Sequence, residues 1–310
     1  MKSKAVILMY HRVVNLPDYP YPIVVSLERF RQHIQYVRDS CYPISLIDFA
    51  CALEQRSLPK RAVAITFDDG YGDNYRFAYP ILEEFDVPAT IFVASNYVDT
   101  ESEFWWDDLE RILVSPAQVP PRLSIRLGDA EYKWEMDSLP RRKAARKEIH
   151  QLMKPLHAGE REKTLAELAG WAGLTRRGRA VNQAMTSKEL RQLAQSHIID
   201  IGAHTISHPQ LSALPPQMQY NEIIDGRRQL ELIIDAPVRT FAYPYGALGH
   251  YTKETVEIVK SAGFAAACTT EDRRVVYGSD LHQLPRYSVD DWDLGMFGKY
   301  LEGFFHNQTP

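Results

Sequence analysis

Cysteine is scarce in this chain: three residues in 310, Cys41, Cys51 and Cys268. They are odd in number and show no metal-type spacing, which excludes a disulfide framework and a thiolate cluster. Cys268, inside AAACTT, is expected to pack in a core. Long apolar runs are also missing, and no stretch approaches the roughly 18 residues that a membrane span needs. The N-terminal apolar run, Ala5 to Met9, stops at Tyr10-His11-Arg12. It is too short for a secretory signal and is expected to be a first core strand, with a cytoplasmic protein as the corollary. Excess charge is lacking as well: the net charge is −4, which gives no pull toward nucleic acid or membrane. There is no internal repeat and no low-complexity tract.

What is present centres on Ala62–Gly70, AVAITFDDG. Apolar and β-branched residues run straight into two carboxylates and a glycine, as in a buried strand that ends in acids. Adjacent carboxylates repel each other, and a bound cation is the simplest way to offset that. By themselves, Asp68 and Asp69 also fit a solvated D-G turn.

Around this stretch, strands and helices alternate. Strands are expected at Lys4–Met9, Ile44–Leu46, Val63–Phe67, Ala89–Val93, Ile198–Ala203, Arg239–Tyr243 and Phe264–Thr269. Asn15–Pro22 reads as a loop, being rich in proline and tyrosine. Helices are expected from a Ser26 cap with Phe30, Ile34 and Val37 inward, and over Leu46–Gln55. A further helix spans Asp73–Phe85 with Tyr75, Ala78, Tyr79 and Leu82 inward. Another starts from a capping box at Thr186–Glu189 with Leu190 and Leu193 inward, followed by Tyr220–Ile234 and by Thr252–Ala262, closed by Gly263. The alternation predicts parallel strands with crossover helices, an α/β class protein. Polar residues gather at strand C-termini, as in a (β/α) barrel whose site lies at that end.

Residues 99–185 break the pattern with FWWDDLERILV, a proline-rich link, a hairpin over Leu123–Trp134 and then helices. They read as an insertion in a single domain spanning 1–310. From Arg141 to Ala180 there are eleven Lys or Arg against four Asp or Glu. Such a run is ordinarily a solvated face; the sharper expectation is a lid or docking surface for an anionic, phosphate-linked substrate. Nucleic acid is disfavoured because the run lacks interleaved aromatics for stacking.

HTISH sets His204 and His208 four apart. On a helical turn both would lie on one face and converge on one ion. With a carboxylate from the Asp pair they would form a His₂-carboxylate set suited to Zn²⁺, and also to Co²⁺, Ni²⁺ or Fe²⁺. One aspartate would then ligate, leaving its neighbour free to act as general base toward a water.

TFDDG, then HTISH followed by Pro209 and Leu211, then FAYPYG, resembles in this order the NodB-homology polysaccharide deacetylases (carbohydrate esterase family 4). The similarity covers roughly 1–98 and 186–290. It implies a distorted (β/α) barrel of about seven strands with an inserted, mostly helical segment, and metal-dependent removal of N-acetyl, sometimes O-acetyl, groups from sugars. By the resemblance, Asp68 is the catalytic base, Asp69, His204 and His208 are metal ligands, and Tyr245 lends a backbone N–H to the oxyanion. Many members carry an arginine three residues before that tyrosine; here the position is Ala242, and Arg286 of LPRY is the candidate substitute. The general-acid histidine usually sits in a C-terminal Leu-x-His motif, which here would give His282. The chain looks closest to the circularly permuted poly-N-acetylglucosamine deacetylase-like branch, where that histidine lies near the start, which favours His11. Trp105, Trp106 and Asp107 could wall a sugar site or pack within the insertion.

The implied function is a metal-dependent N-deacetylase acting on an N-acetylated sugar. The alternatives are an O-acetyl esterase on the same scaffold and a non-catalytic carbohydrate-binding module. Without a leader, the expected substrates are a nucleotide-sugar, a lipid-linked intermediate or a small oligosaccharide.

Overall fold

The computed structural model describes residues 5–16 and 19–306. Lys4, at the start of the expected first strand, and Pro17 and Asp18 of the expected loop lie outside them. The described chain divides into two compact units, 1–98 with 185–310, and 99–184.

The first unit runs β1 (Val6–Tyr10), β2 (Arg12–Val13), β3 (Val24–Val25), α1 (Leu27–Ser40), β4 (Tyr42–Pro43), α2 (Leu46–Glu54) and β5 (Ala62–Phe67). A π-helical turn, Asn74–Ala78, leads into α3 (Tyr79–Phe85), followed by β6 (Ala89–Val93). The second unit holds α4 (Trp105–Leu113), the hairpin β7 (Arg122–Leu127) and β8 (Ala130–Glu135), α5 (Leu139–Met153) and α6 (Ala158–Trp171). The chain then returns to the first unit with α7 (Ser187–Ala194), β9 (Ile199–Ala203), α8 (Pro216–Ile234), β10 (Thr240–Ala242), α9 (Lys253–Ser261), β11 (Ala266–Cys268), β12 (Tyr287–Ser288) and α10 (Leu294–His306).

The strands of the first unit form one parallel sheet in the order β11-β10-β9-β6-β5-β1-β12, with β4 added beside β5. The ends of this order approach each other: Leu284 bridges Cys268 of β11, and three residues later Tyr287 pairs with Leu8 of β1. The expected seven-stranded, distorted (β/α) barrel is the fold. Alternate residues separate two apolar layers, as the strand period of two requires. Ile7, Ala62, Ala64, Phe92, Ala242, Ala266 and Cys268 fill the interior, together with the apolar face of α2. Val6, Leu8, Val63, Ile65, Phe67, Ile91 and Phe241 pack outward beneath the helices. Four of the seven strand residues in that layer are alanine. Gly202 is required there: a Cβ on it would lie 2.4 Å from the Phe92 ring.

Most expected elements are in place, and the capping box at Thr186 is formed. Three details differ. The short strand expected at Ile44–Leu46 lies two residues earlier, because Tyr42 and Pro43 pair with Ala62 and Val63. Ser26 begins α1 but gives its side chain to Asp291 (2.7 Å) instead of capping the helix, since a carboxylate is the stronger acceptor. The π-helical turn at Asn74 rotates the following face, burying Ile81 with Ala78 and Leu82 and leaving Tyr75 and Tyr79 half-exposed. No helix among the described residues is long and apolar enough to cross a membrane.

Candidate metal and hydrolase site

The chemistry sits at the C-terminal ends of the strands. Asp68 and Asp69 follow β5 directly, His204 follows β9, Tyr245 lies three residues past β10, and His11 follows β1. Arg286 stands just before β12 and spans the interior. Asp68, Asp69, His204, His208 and Arg286 are all buried.

The two aspartates face different partners. Asp68 receives both terminal nitrogens of Arg286, at 2.6 and 2.7 Å. The same guanidinium also donates to the Thr269 carbonyl and to Thr66 Oγ1, which fixes its plane. Burial alone would push the Asp68 carboxyl up. The charge of Arg286 beside it, helped by His204 and His11, outweighs burial and holds it at about 2. Asp68 is therefore ionised at neutral pH. The fork geometry suits guanidinium and not ammonium.

Asp69 instead turns Oδ1 toward two imidazoles, at 3.6 Å from His204 Nε2 and 3.4 Å from His208 Nε2. One ligand atom from each of the three residues can be chosen so that all lie within 4.8 Å of one another. Donors about 2.1 Å from one tetrahedral ion stand about 3.4 Å apart, so the spacing of these residues fits a divalent metal. Second contacts agree. His204 Nδ1 donates to the Ala242 carbonyl at 2.8 Å, which directs the Nε2 lone pair at Asp69. Burial lowers the His204 pKa, which keeps the imidazole neutral, the form a metal requires.

HTISH does not converge through a helical turn, as the spacing suggested. Thr205 and His208 have φ of +66° and +54°, and the segment is an irregular loop. Asp69 (+73°) and Tyr245 (+61°) are left-handed too. Four non-glycine residues in this conformation at one site mark stored backbone strain, a frequent companion of function. Tyr245 lays its ring edge-on against His208, with centroids 4.6 Å apart. Its carbonyl accepts from Thr270 Oγ1, which fixes the Tyr245–Gly246 turn. Gly246 must be glycine, because a Cβ would lie 2.7 Å from the Thr270 nitrogen.

His11 is half-buried, with Asp68, Arg286 and His204 as its electrostatic neighbours. Burial lowers its pKa to about 4, opposed by Asp68 and assisted by Arg286 and His204. The resting imidazole is neutral at pH 7. His282 lies elsewhere: its Nε2 meets the Phe264 carbonyl, ahead of β11, at 2.9 Å. Trp105 and Trp106 belong to the second unit, where Trp105 stacks on His150 and Trp106 on Phe104. Also in that unit, the Asp107 carbonyl accepts from Arg179. Much of the basic run is spent within that unit. Arg179 pairs with Glu103 and Glu110, Arg176 with Asp108 and Glu162, and Arg141 with Asp137.

Sequence reasoning missed the support of His11. Arg12 is fully buried, pairs with Asp73 at 2.9 Å and lies against the rings of Tyr19 and Tyr71. Asn74 Nδ2 donates to the His11 carbonyl at 2.8 Å. A fully apolar run followed by a lone arginine, MYHRVV, was the available signal, since buried arginine demands a partner.

A model of the family described as polysaccharide deacetylase matches residues 55–120 and 169–267, more than half of the chain. YxkH of Bacillus subtilis (strain 168), classed among the polysaccharide deacetylases, is 23% identical over 303 residues, 97% of this chain and 77% of that protein. The poly-beta-1,6-N-acetyl-D-glucosamine N-deacetylase of Escherichia coli (strain K12) is 33% identical over 81 residues. That match spans 26% of this chain and 12% of the relative. Among solved structures, the Streptococcus pyogenes deacetylase PplD, in complex with acetate, superposes with a TM-score of 0.62 at 20% identity. It covers 100% of this chain and 99% of its own, a likeness of fold. The chain belongs to the polysaccharide deacetylase family.

Proposed function

We propose that the chain is a divalent-metal-dependent N-deacetylase that hydrolyses the acetamide of an N-acetylated sugar, with β-1,6-linked N-acetylglucosamine oligomers as the first substrates to try. The observation that carries this reading is the division of labour in one dipeptide: Asp68 is held by Arg286, and Asp69 faces His204 and His208. Support for the substrate class comes from the family and from the short match to a poly-N-acetylglucosamine N-deacetylase.

Asp69, His204 and His208 would hold the ion, with Zn²⁺ the first choice and Co²⁺, Ni²⁺ or Fe²⁺ suited to the same donors. When bound, the ion supplies a Lewis acid and an activated water. Asp68, ionised and aimed by Arg286, takes the proton of the attacking water. The Tyr245 backbone N–H steadies the negative charge that develops on the acetyl oxygen. His11 delivers a proton to the leaving amine. Because burial keeps its imidazole neutral at rest, the proton it delivers is the one that its neighbour Asp68 has taken from the water. Ala242 occupies the position where many family members carry an arginine, and Arg286, just before β12, takes over the contact to the base.

Acetate release from a panel of N-acetylated and O-acetylated oligosaccharides, including phosphate-linked sugars, with each metal added back, tests this proposal. Metal-dependent release from N-acetyl substrates is expected. Release from esters alone would replace it with an O-acetyl esterase. No release with any metal would favour a binding module.

A further inference from the structure

The loop that carries His204 and His208 has no regular structure to hold it. Thr205 and His208 are both left-handed, a conformation that costs about 1–3 kcal/mol per residue and persists only where the surroundings enforce it. Three kinds of support are visible: backbone bonds to Ser95 and Asn96, the Thr205 hydroxyl, and a carboxylate from α8. The Thr205 carbonyl accepts from Ser95 N–H at 3.1 Å, and the Ile206 carbonyl from Asn96 N–H at 2.9 Å. Thr205 Oγ1 accepts the His208 N–H at 3.1 Å.

The third comes from α8. The Ile206 and Ser207 N–H groups both donate to Glu222 Oε2, at 3.0 and 2.9 Å, and the Ser207 hydroxyl donates to Oε1 at 2.7 Å. One carboxylate thus collects three donors from two consecutive residues, the arrangement of a backbone nest around an anion. One turn further along α8, Gly226 makes the approach possible: a Cβ there would stand 2.8 Å from the Thr205 carbonyl carbon and 3.0 Å from the Ile206 nitrogen.

We propose that Glu222 is a positioning residue: its carboxylate fixes the Ile206–Ser207 turn, which sets the His208 imidazole against Asp69 and thereby the metal affinity of the site. It rests on the reading of Asp69, His204 and His208 as metal ligands. Glu222 acts through the loop backbone, and none of its three hydrogen bonds goes to a side chain of the trio. Charge matters here, because acceptance of three donors by an anion is stronger than by a neutral group. Removing it leaves two amide groups and a hydroxyl to find water, and the left-handed turn at His208 loses the restraint on the two residues before it.

The test is a Co²⁺ titration of metal-free wild type, Glu222→Ala, Glu222→Gln and His208→Ala. It reads dissociation constant and visible spectrum, with thermal unfolding of each metal-free protein alongside. Glu222→Ala should bind Co²⁺ about 10–100-fold more weakly, the usual cost of losing an outer-shell partner, with an altered spectrum. Glu222→Gln keeps an acceptor oxygen for the two amides and should fall between Ala and wild type. A Glu222→Ala protein that melts earlier but binds Co²⁺ with wild-type affinity and spectrum would overturn the proposal, leaving a stabilising contact only. Wild type that takes up no Co²⁺, or binds it equally well as His208→Ala, would overturn the metal reading itself, and the proposal with it.

Discussion

Among the described residues two Asp-Asp pairs are buried, one in each compact unit, and they are handled differently. Asp107 and Asp108 lie in the first turn of α4, where a helix N-terminus already favours negative charge. Asp108 is met by Arg111 at 3.0 Å and Arg176 at 3.1 Å. Burial still raises its pKa despite these arginines. Close by, Glu103 takes Arg179 and Asn182. Guanidinium groups from the unit's own sequence do the compensating at Asp108 and Glu103. At Asp68–Asp69 the two-pronged guanidinium contact goes to Asp68. Asp69 is turned toward two imidazoles, on backbone that is left-handed at Asp69 and His208. The lesson is that buried carboxylates do not mark a site; the kind of donor facing them does. Asp108 meets arginines alone, whereas Asp69 meets two imidazoles in left-handed loops, a donor set that could hold a cation.

The largest expected effect on this contrast comes from His204→Ala. It should remove bound metal and bring turnover to background, measured by metal analysis and acetate release. A full complement of metal in that variant would make the two Asp pairs alike. Next, Asp68→Asn should lower kcat by roughly 10²–10⁴, the usual worth of a general base, in steady-state kinetics at saturating metal. Arg286→Ala strands a buried anion and should cost roughly 3–5 kcal/mol in denaturant unfolding. Arg286→Lys should recover little of it, because an ammonium cannot make the two-pronged contact.

The smallest effect belongs to the second unit. Burial raises the Glu103 carboxyl, but Arg179 and Asn182 outweigh it and hold its pKa below the ordinary value. A depressed pKa contributes stability that is present above the unfolded-state value near 4.5 and is lost as pH falls through the folded value. Glu103→Gln should therefore lower the melting temperature at pH 7, by about 1–3 kcal/mol of stability. It should also flatten the acid-side decline between wild type at pH 6 and pH 3. An unchanged pH profile would remove Glu103 from the account of this cluster.

Much of this was legible in the sequence, for local reasons. AVAITFDDG shows its strand and its acids together, because β5 is buried on both faces and reads as an unbroken apolar run. Arg286 could be named once Ala242 was seen to stand where the resemblance led one to expect an arginine. What stayed hidden depends on long-range pairing. Glu222 reads as one more acid on an amphipathic helix, since nothing local reveals that it accepts hydrogen bonds from Ile206 and Ser207. Arg12 and Asp73 meet across 61 residues. The helical turn expected for HTISH failed because four-residue spacing is compatible with several backbones, and left-handed Thr205 and His208 leave no signature in residue type. The C-terminal helix α10 was not foreseen at all, although Tyr287 rests against its Phe304.

The central claim is that two adjacent aspartates do different jobs, and metal affinity separates them most directly. Asp69→Asn and Asp68→Asn, each freed of metal and titrated with Co²⁺, should differ sharply. Asp69→Asn should lose the site, whereas Asp68→Asn should bind close to wild type while its turnover collapses. Equal loss of affinity in both variants, or loss in Asp68→Asn alone, would contradict the assignment.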